Sequence, residues 1–310
     1  MYQLLYGLSG SPFSLLPDAD FMYLSRKHRR AINLLEYGIT TKAGFVVISG
    51  DVGAGKTTII RRFLKNAGNE MAVGVITNTS VGAGRLLRWV AMAFDIDDKE
   101  QDDITLYSRF VDYLLAQYSK GKRTVLIVDE AQNFNAQMLE ELRMLSNVNN
   151  EKDQLLQIIL VGQPELLATL KQPGLRQFVQ RITVHCHLES LQPAETAQYI
   201  RHRLSVVGGA ADIFNDAACA AVHYFTGGVP RLINLLCDQA LVYGFSEDLA
   251  HITHATVLEV VSDRNQAGLS AFRALPPDAT PERLLQELRS TLMMIKFNGD
   301  ERKAKKEHVK

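Results

Sequence analysis

Gly50-Asp51-Val52-Gly53-Ala54-Gly55-Lys56-Thr57 is the stretch that decides the fold. It fills every position of the phosphate-binding pattern G-x-x-x-x-G-K-[ST]. The apolar run Phe45-Val46-Val47-Ile48 leads into it, and the helical pattern Thr58-Ile59-Ile60-Arg61-Arg62-Phe63-Leu64 leads out. Glycines let a backbone wrap closely around phosphate oxygens, and amides at a helix start point toward negative charge. Lys56 can reach β and γ phosphates, and the Thr57 hydroxyl can ligate Mg²⁺. The loop therefore predicts a nucleoside triphosphate as ligand.

Four further β-like runs follow the first: Val73–Thr77, Thr124–Val128, Leu156–Val161 and Ile182–His185. Helical patterns separate them, such as Leu86-Leu87-Val90-Ala91-Phe94 and Phe110-Leu114-Leu115-Tyr118. Strands alternating with helices, and nearly continuous in apolar residues, indicate an α/β parallel five-stranded sheet covered on both faces. Such sheets bind ligands at the carboxyl ends of their strands, where the loop Gly50–Thr57 lies. From about Ser190 the β signal ends. Glu195–Val206, Ala217–Phe225, Arg231–Phe245 and His254–Val261 then read as four short helices, broken by Gly208-Gly209 and Gly227-Gly228. The expected organisation is a linker segment over 1–43, a nucleotide-binding α/β domain over 44–189 and a small all-helical lid domain over 190–265. Residues 266–310 close the chain as a linker marked by Pro276-Pro277 and Pro281, an amphipathic helix over Arg283–Met294, and a solvated polar tail.

Composition narrows the classes. Lysine plus arginine and aspartate plus glutamate number 34 each, so no global field draws nucleic acid or membrane to a chain of 310 residues. Cys186, Cys219 and Cys237 are few and lack metal-ligand spacing, which fits buried thiols in a reducing compartment. On a strand, His185 and His187 would face away from Cys186, so His185-Cys186-His187 is not read as a metal site. No secretory signal is evident, and no apolar run approaches a membrane span, which leads to the expectation of a cytoplasmic protein.

The second nucleotide signature is Val125-Leu126-Ile127-Val128-Asp129-Glu130. An apolar strand delivers Asp129 to the magnesium side of the site, and Glu130 follows where a water can be aligned for in-line attack on the γ phosphate. Asp129-Glu130-Ala131-Gln132 also resembles the DEAx box of superfamily 2 helicases. That reading needs a second sheet domain with its own arginine motif, whereas the following segment is helical and too small. Gln163, closing the fourth strand, can touch the attacking water or the γ phosphate. Arg181, before the fifth strand, would project into a neighbouring subunit's site, with Arg176 as the competing candidate. Arg231, in Gly227-Gly228-Val229-Pro230-Arg231, begins a helix of the small domain and would fold over the nucleotide.

Together these residues resemble an AAA+ ATPase, and within that class the ExeA/GspA-type ATPases of general secretion and their exopolysaccharide and pilus relatives. The resemblance runs through Tyr6-Gly7-Leu8, Pro12-Phe13-Ser14-Leu15, Phe21-Met22-Tyr23-Leu24-Ser25, Leu35-Glu36-Tyr37-Gly38-Ile39, Leu160-Val161-Gly162-Gln163-Pro164-Glu165-Leu166 and Gly227–Asn234, and covers roughly residues 1 to 262. It implies an oligomeric, ATP-driven switch, ring or filament, using ATP and Mg²⁺ in the assembly of a secretion, pilus or polysaccharide system, with a protein partner from that system. Asp51, Val52, Gly53, Ala54, Gly55, Lys56, Thr57 and Thr58 would bind phosphates, Thr57 and Asp129 magnesium, and Glu130 the water. Gln163 would be sensor one, Arg231 sensor two and Arg181 the finger. The segment around Phe13 and Tyr23 would pack beside the adenine. Members of that family often continue into a membrane span and a periplasmic peptidoglycan-binding domain, and the sequence shows neither. The same branch is similar to transposition regulators that form ATP-dependent filaments on DNA. Under that alternative, Arg85, Arg88 and Arg26-Lys27-His28-Arg29-Arg30 would contact duplex phosphates. A nucleotide-dependent scaffold with slow hydrolysis is the third reading.

Overall fold

Runs of apolar residues without alternation need cover on both faces, and helices joined by short crossovers supply it. The computed structural model describes residues 1–16, 18, 20–66, 68–77, 86–97, 102–149, 153–275 and 280–296. In chain order, α1 (Arg26–Thr40) precedes β1 (Phe45–Gly50), followed by α2 (Lys56–Asn66), β2 (Met71–Ile76), α3 (Leu86–Ala93), α4 (Asp103–Ser119) and β3 (Arg123–Val128). Next come α5 (Ala136–Leu145), β4 (Leu156–Gly162), α6 (Pro164–Leu170), α7 (Arg176–Val179) and β5 (Ile182–Leu188). The remainder is helical: α8 (Pro193–Val206), α9 (Asp216–Thr226), α10 (Pro230–Ser246), α11 (His254–Gln266) and α12 (Pro281–Glu287). The chain divides into a sheet unit, Arg26–Val52 with Lys56–Glu189, and a helical unit, Met1–Ser25, Gly53–Gly55 and the chain from Ser190 onward.

The sheet unit is parallel throughout, with strand order β2-β3-β4-β1-β5. Position in that order sets the sequence pattern. β1 and β4 are buried at every residue, and β3 at all but its first. The edge strand β5 instead alternates, with Val184, Cys186 and Leu188 buried and Thr183, His185 and His187 exposed. The histidines thus leave Cys186 on the opposite face, and no group of three metal-ligating residues forms among the described residues. Partial desolvation of its ring, whose Nε2 meets Ser49 Oγ, pushes the pKa of the otherwise exposed His185 down, with the neighbouring His187 adding to the effect. Under the sheet, Phe45 meets Phe178 with ring centroids 4.5 Å apart, within a core built from alternate residues of β1, β3 and β4.

Polar side chains close the starts of α8 and α9 in the helical unit. Asn215 accepts from the Ala218 N–H at 2.8 Å to begin α9, and Gln192 with Glu195 forms a reciprocal capping box at α8. The unit's core holds Ile200, Phe214, Phe225, Leu236 and Val257, all essentially inaccessible.

Here the structure departs from the expected linkers. Tyr2, Tyr6, Leu8 and Phe13 belong to the helical core, and Phe13, at 1% exposure, packs edge-on against Phe214 with centroids 5.8 Å apart. Phe13 is therefore a core residue and has no ring face left for an adenine. The buried Arg203 fastens this segment: its guanidinium donates to the carbonyls of Pro12 and Ser14 and to the Tyr199 hydroxyl, and lies 4.8 Å from the Phe21 ring centroid. A cation buried without a carboxylate is tolerated when carbonyl oxygens and aromatic faces satisfy it. At the other end Phe272, Leu284, Leu288 and Ile295 also enter the core. The expected helix Arg283–Met294 is broken at Leu288 into α12 and a second helical segment, 289–296. The N-terminal pattern has no strand or helix period, so its burial is invisible to periodicity. All three cysteines are free and buried, and no described helix is long and apolar enough to cross a membrane. The polar tail lies outside the described residues.

Phe13→Ala tests this packing. Removing a buried phenylalanine should cost about 3–5 kcal/mol, read as a lower urea midpoint of the helical unit's unfolding transition. An unchanged midpoint would show that the N-terminal segment adds nothing to the core.

Candidate nucleotide site

β1, held between β4 and β5, ends at Gly50, and the chain turns through the loop to enter α2 at Lys56. Gly53 and Gly55 take φ of 78° and 97°, conformations that residues with a Cβ rarely adopt. α2 has no acidic residue in its first turn to compete for the amides there. Lys56 is only 7% exposed, and its ammonium donates to the Gly50 carbonyl at 2.6 Å and the Asp51 carbonyl at 2.9 Å. Burial pushes its pKa down, while the carboxylates of Glu130, Asp129, Asp51 and Glu165 pull the other way. A buried cation resting on neutral carbonyls is one that an anion can recruit.

Val52 is exposed on the loop and Ala54 buried beneath it, while Thr58 is half-buried on α2. The Thr57 hydroxyl lies 3.3 Å from Asp129 Oδ2, donating to it. Asp129 follows β3, and its own N–H still bonds the Ile76 carbonyl of β2 at 2.9 Å. Burial raises the Asp129 pKa, an effect that the Glu130 N–H, at 2.9 Å from Oδ1, counters in part. A half-buried carboxylate beside a hydroxyl is a donor pair that a hard dication satisfies, so the residues present fit Mg²⁺. Thr57 and Asp129 are the groups that would hold it.

Glu130 adopts φ of 54°, the left-handed region, which costs a side-chain-bearing residue about 1–3 kcal/mol. The backbone thereby turns out of β3 and aims the carboxylate toward β4. Its Oε2 accepts from Gln132 Nε2 at 2.5 Å and from Gln163 Nε2 at 3.3 Å. Gln163 stands between β4 and α6, and its N–H donates to Gln132 Oε1 at 2.9 Å. Lys56, Thr57, Asp129, Glu130 and Gln163 therefore share one end of the sheet. Gln132 joins them and was visible in the sequence only as a letter of a rejected helicase box.

Of the predicted arginines, Arg231 meets the phosphate loop, its N–H donating to the Gly53 carbonyl at 3.4 Å, while Arg181 and Arg176 have other surroundings. The Arg181 guanidinium donates to Ser146 Oγ at 3.3 Å and to Asn147 Oδ1, both at the end of α5. Arg176 is exposed at the start of α7. Arg231 is the second residue of α10 in the helical unit and is exposed. Of the arginines considered for DNA, Arg85 lies outside the described residues, and Arg88 pairs with Asp103 at 3.7 Å. In the basic run at the start of α1, Lys27 pairs with Glu189 and His28 is buried.

Known proteins match this architecture. The family model described as an AAA domain matches residues 39–170. General secretion pathway protein A of Aeromonas hydrophila is 40% identical over 258 residues, covering 83% of this chain and 47% of that protein. The chain thus spans about half the length of the curated relative it matches. Among solved structures, Cdc6p from Pyrobaculum aerophilum has a TM-score of 0.59 at 15% identity, covering 80% of this chain and 71% of that one. The Aeropyrum pernix ORC2 protein has a TM-score of 0.57 at 14% identity, covering 83% of this chain and 72% of that one. At such identities the likeness is one of fold. The phosphate loop, the AAA domain that contains it and the extended similarity to general secretion pathway protein A make the chain an AAA+ P-loop ATPase.

Proposed function

We propose that the chain binds Mg·ATP at the end of β1 and hydrolyses it as an oligomeric switch serving a secretion, pilus or polysaccharide system. The observation that carries this reading is the pairing of two carboxylates with different partners at one sheet edge. Asp129 sits against the Thr57 hydroxyl, and Glu130 against two side-chain amides.

Each group has a distinct part. The loop amides of residues 51–58 bind phosphate oxygens, and the Lys56 ammonium exchanges its two carbonyl partners for β and γ oxygens. Thr57 and Asp129 would hold magnesium, which would supply positive charge to offset that of the phosphate oxygens. Glu130 accepts a hydrogen bond, then a proton, from the attacking water. The Gln163 amide, adjacent to that carboxylate, contacts the water or the γ phosphate. Arg181 exchanges Ser146 and Asn147 for a neighbour's γ phosphate when subunits assemble, and Arg231 couples nucleotide to the helical unit. The secretion context rests on the similarity to general secretion pathway protein A, and the partner is a protein of such a system in the cytoplasm.

Replacing Lys56 by alanine should abolish tight ATP binding without loss of circular dichroism, because its ammonium is the main mobile charge facing the β and γ phosphates. Affinity equal to the parent's would remove the phosphate-loop assignment. Glu130→Gln should keep ATP affinity and lose turnover, since an amide cannot take up the water's proton. The pair is measured by equilibrium nucleotide binding and by phosphate release.

Assembly has its own readout. Activity per subunit should rise with protein concentration, and Arg181→Ala should bind ATP normally yet hydrolyse it about 10³-fold more slowly, the lower end of the usual contribution of an arginine finger. A monomer with full activity at every concentration rules out the shared site.

A further inference from the structure

Gln132 has bonds at both ends of its side-chain amide, and their chemistry admits only one orientation. The Gln163 N–H can only donate, so it selects Gln132 Oε1, at 2.9 Å. The Glu130 carboxylate accepts, so it selects Gln132 Nε2, at 2.5 Å. The backbone beneath is equally constrained. Residues 131–133 form a single 3₁₀ turn closed by Asn133 N–H to the Glu130 carbonyl at 3.0 Å and Phe134 N–H to the Ala131 carbonyl at 3.1 Å. Ala131 and Phe134 on either side are buried, which pins the turn against the sheet.

The end of β4 makes room for this side chain. A Cβ on Gly162 would stand 3.1 Å from Gln132 Oε1, 3.2 Å from the Gln132 backbone nitrogen and 2.9 Å from Leu166 Cδ2. The strand therefore needs glycine where the amide crosses it. Gln163 also sends its own Nε2 to the same Glu130 oxygen. Two amides thus converge on Oε2 of a residue whose backbone already carries left-handed strain. Losing those bonds removes two of the contacts that fix the carboxylate's rotamer.

We propose that Gln132 is a positioning residue for hydrolysis, clipping the Glu130 carboxylate to the end of β4. Gln163 and Glu130 then move as one body through the Gln132 amide. This rests on the reading of Glu130 as the group that aligns the water. In this role Gln132 works through Glu130 rather than on the nucleotide or the water. It acts by keeping a carboxylate within the narrow range of geometry that in-line attack requires, where a misplacement of 1 Å costs about 10²-fold.

Two variants separate positioning from support of the strand end. Gln132→Glu keeps the oxygen that accepts from the Gln163 N–H but replaces the donor to Glu130 with a repelling carboxylate. Gln132→Leu removes both bonds without adding charge. With the full chain and Mg·ATP, kcat should fall about 10–100-fold in Gln132→Leu and further in Gln132→Glu, with ATP affinity held within about twofold. A merely supporting role gives the opposite order, because the glutamate preserves the anchor to β4. Combining Gln132→Leu with Gln163→Ala should lose less than the product of the single losses, since part of each effect runs through the one Glu130 oxygen that both amides bond. If Gln132→Glu does not fold by circular dichroism, the leucine variant and this cycle decide. Parental or raised turnover in Gln132→Leu, independent losses in the cycle, or a glutamate variant more active than the leucine one each overturn the proposal. Glu130→Gln run alongside keeps the two readings apart. If it still turns over, the role of Glu130 falls. If it is inactive while both Gln132 variants match the parent, only the clip falls.

Discussion

A parallel sheet buried on both faces can offer polar groups only where its strands stop. β1, β3 and β4 have almost no exposed residue along their lengths, so Asp51, Asp129 and Gln163 are the first positions past each strand at which a polar side chain is open to a ligand. Because the strands run the same way, those positions fall on one edge. The site depends on this constraint before any particular side chain is considered. Neighbouring strands stand about 4.8 Å apart, so three adjacent strand ends come within side-chain reach of one another.

At that edge the protein holds charge in a half-buried setting where each group is unsettled. Lys56 is kept from water by the loop that it serves, with its pKa lowered by burial, and Asp129 has its pKa raised for the same reason. Among the described residues neither finds a full counter-charge in direct contact: Lys56 rests on two carbonyls, and Asp129 on a hydroxyl and an amide. Polyphosphate and a dication supply the missing charges, which is the electrostatic reason for a nucleotide-metal complex here. Glu130 is treated differently, with two side-chain amides on a single oxygen and a strained backbone aiming it at β4. One carboxylate is left for a cation to claim, and its neighbour is held in place.

The helical unit solves another problem. Its helices leave an apolar surface that Tyr2, Tyr6, Leu8 and Phe13 complete from one end of the chain and Phe272, Leu284, Leu288 and Ile295 from the other, with Arg203 fastening Pro12 and Ser14 by hydrogen bonds to their carbonyls. The N-terminal motifs Tyr6-Gly7-Leu8 and Pro12-Phe13 are therefore packing residues in this fold, whatever else the surface near them touches. Aromatic side chains with a polar tip suit such a strap. Tyr2 and Tyr6 bury their rings and direct their hydroxyls to Asp238 and to the Leu249 carbonyl.

Local chemistry was enough for the sequence to determine the phosphate loop, the five strands and the four helices after Ser190, because each rests on residue type at fixed spacing. Glycine conformational freedom, unbroken apolar runs and helical periodicity act within a dozen residues and need no knowledge of the rest of the chain. The tertiary structure alone decided what depends on residues far apart in number. It set the strand order that brings Gln163 beside Glu130, and it buried Phe13 against Phe214, some 200 residues away. It broke the expected last helix at Leu288, whose side chain turns into the core. It also gave Gln132 its two partners, one on its own turn and one across the sheet. A side-chain amide carries no periodicity and no charge, so its significance exists only where a second strand supplies the other half of the bond.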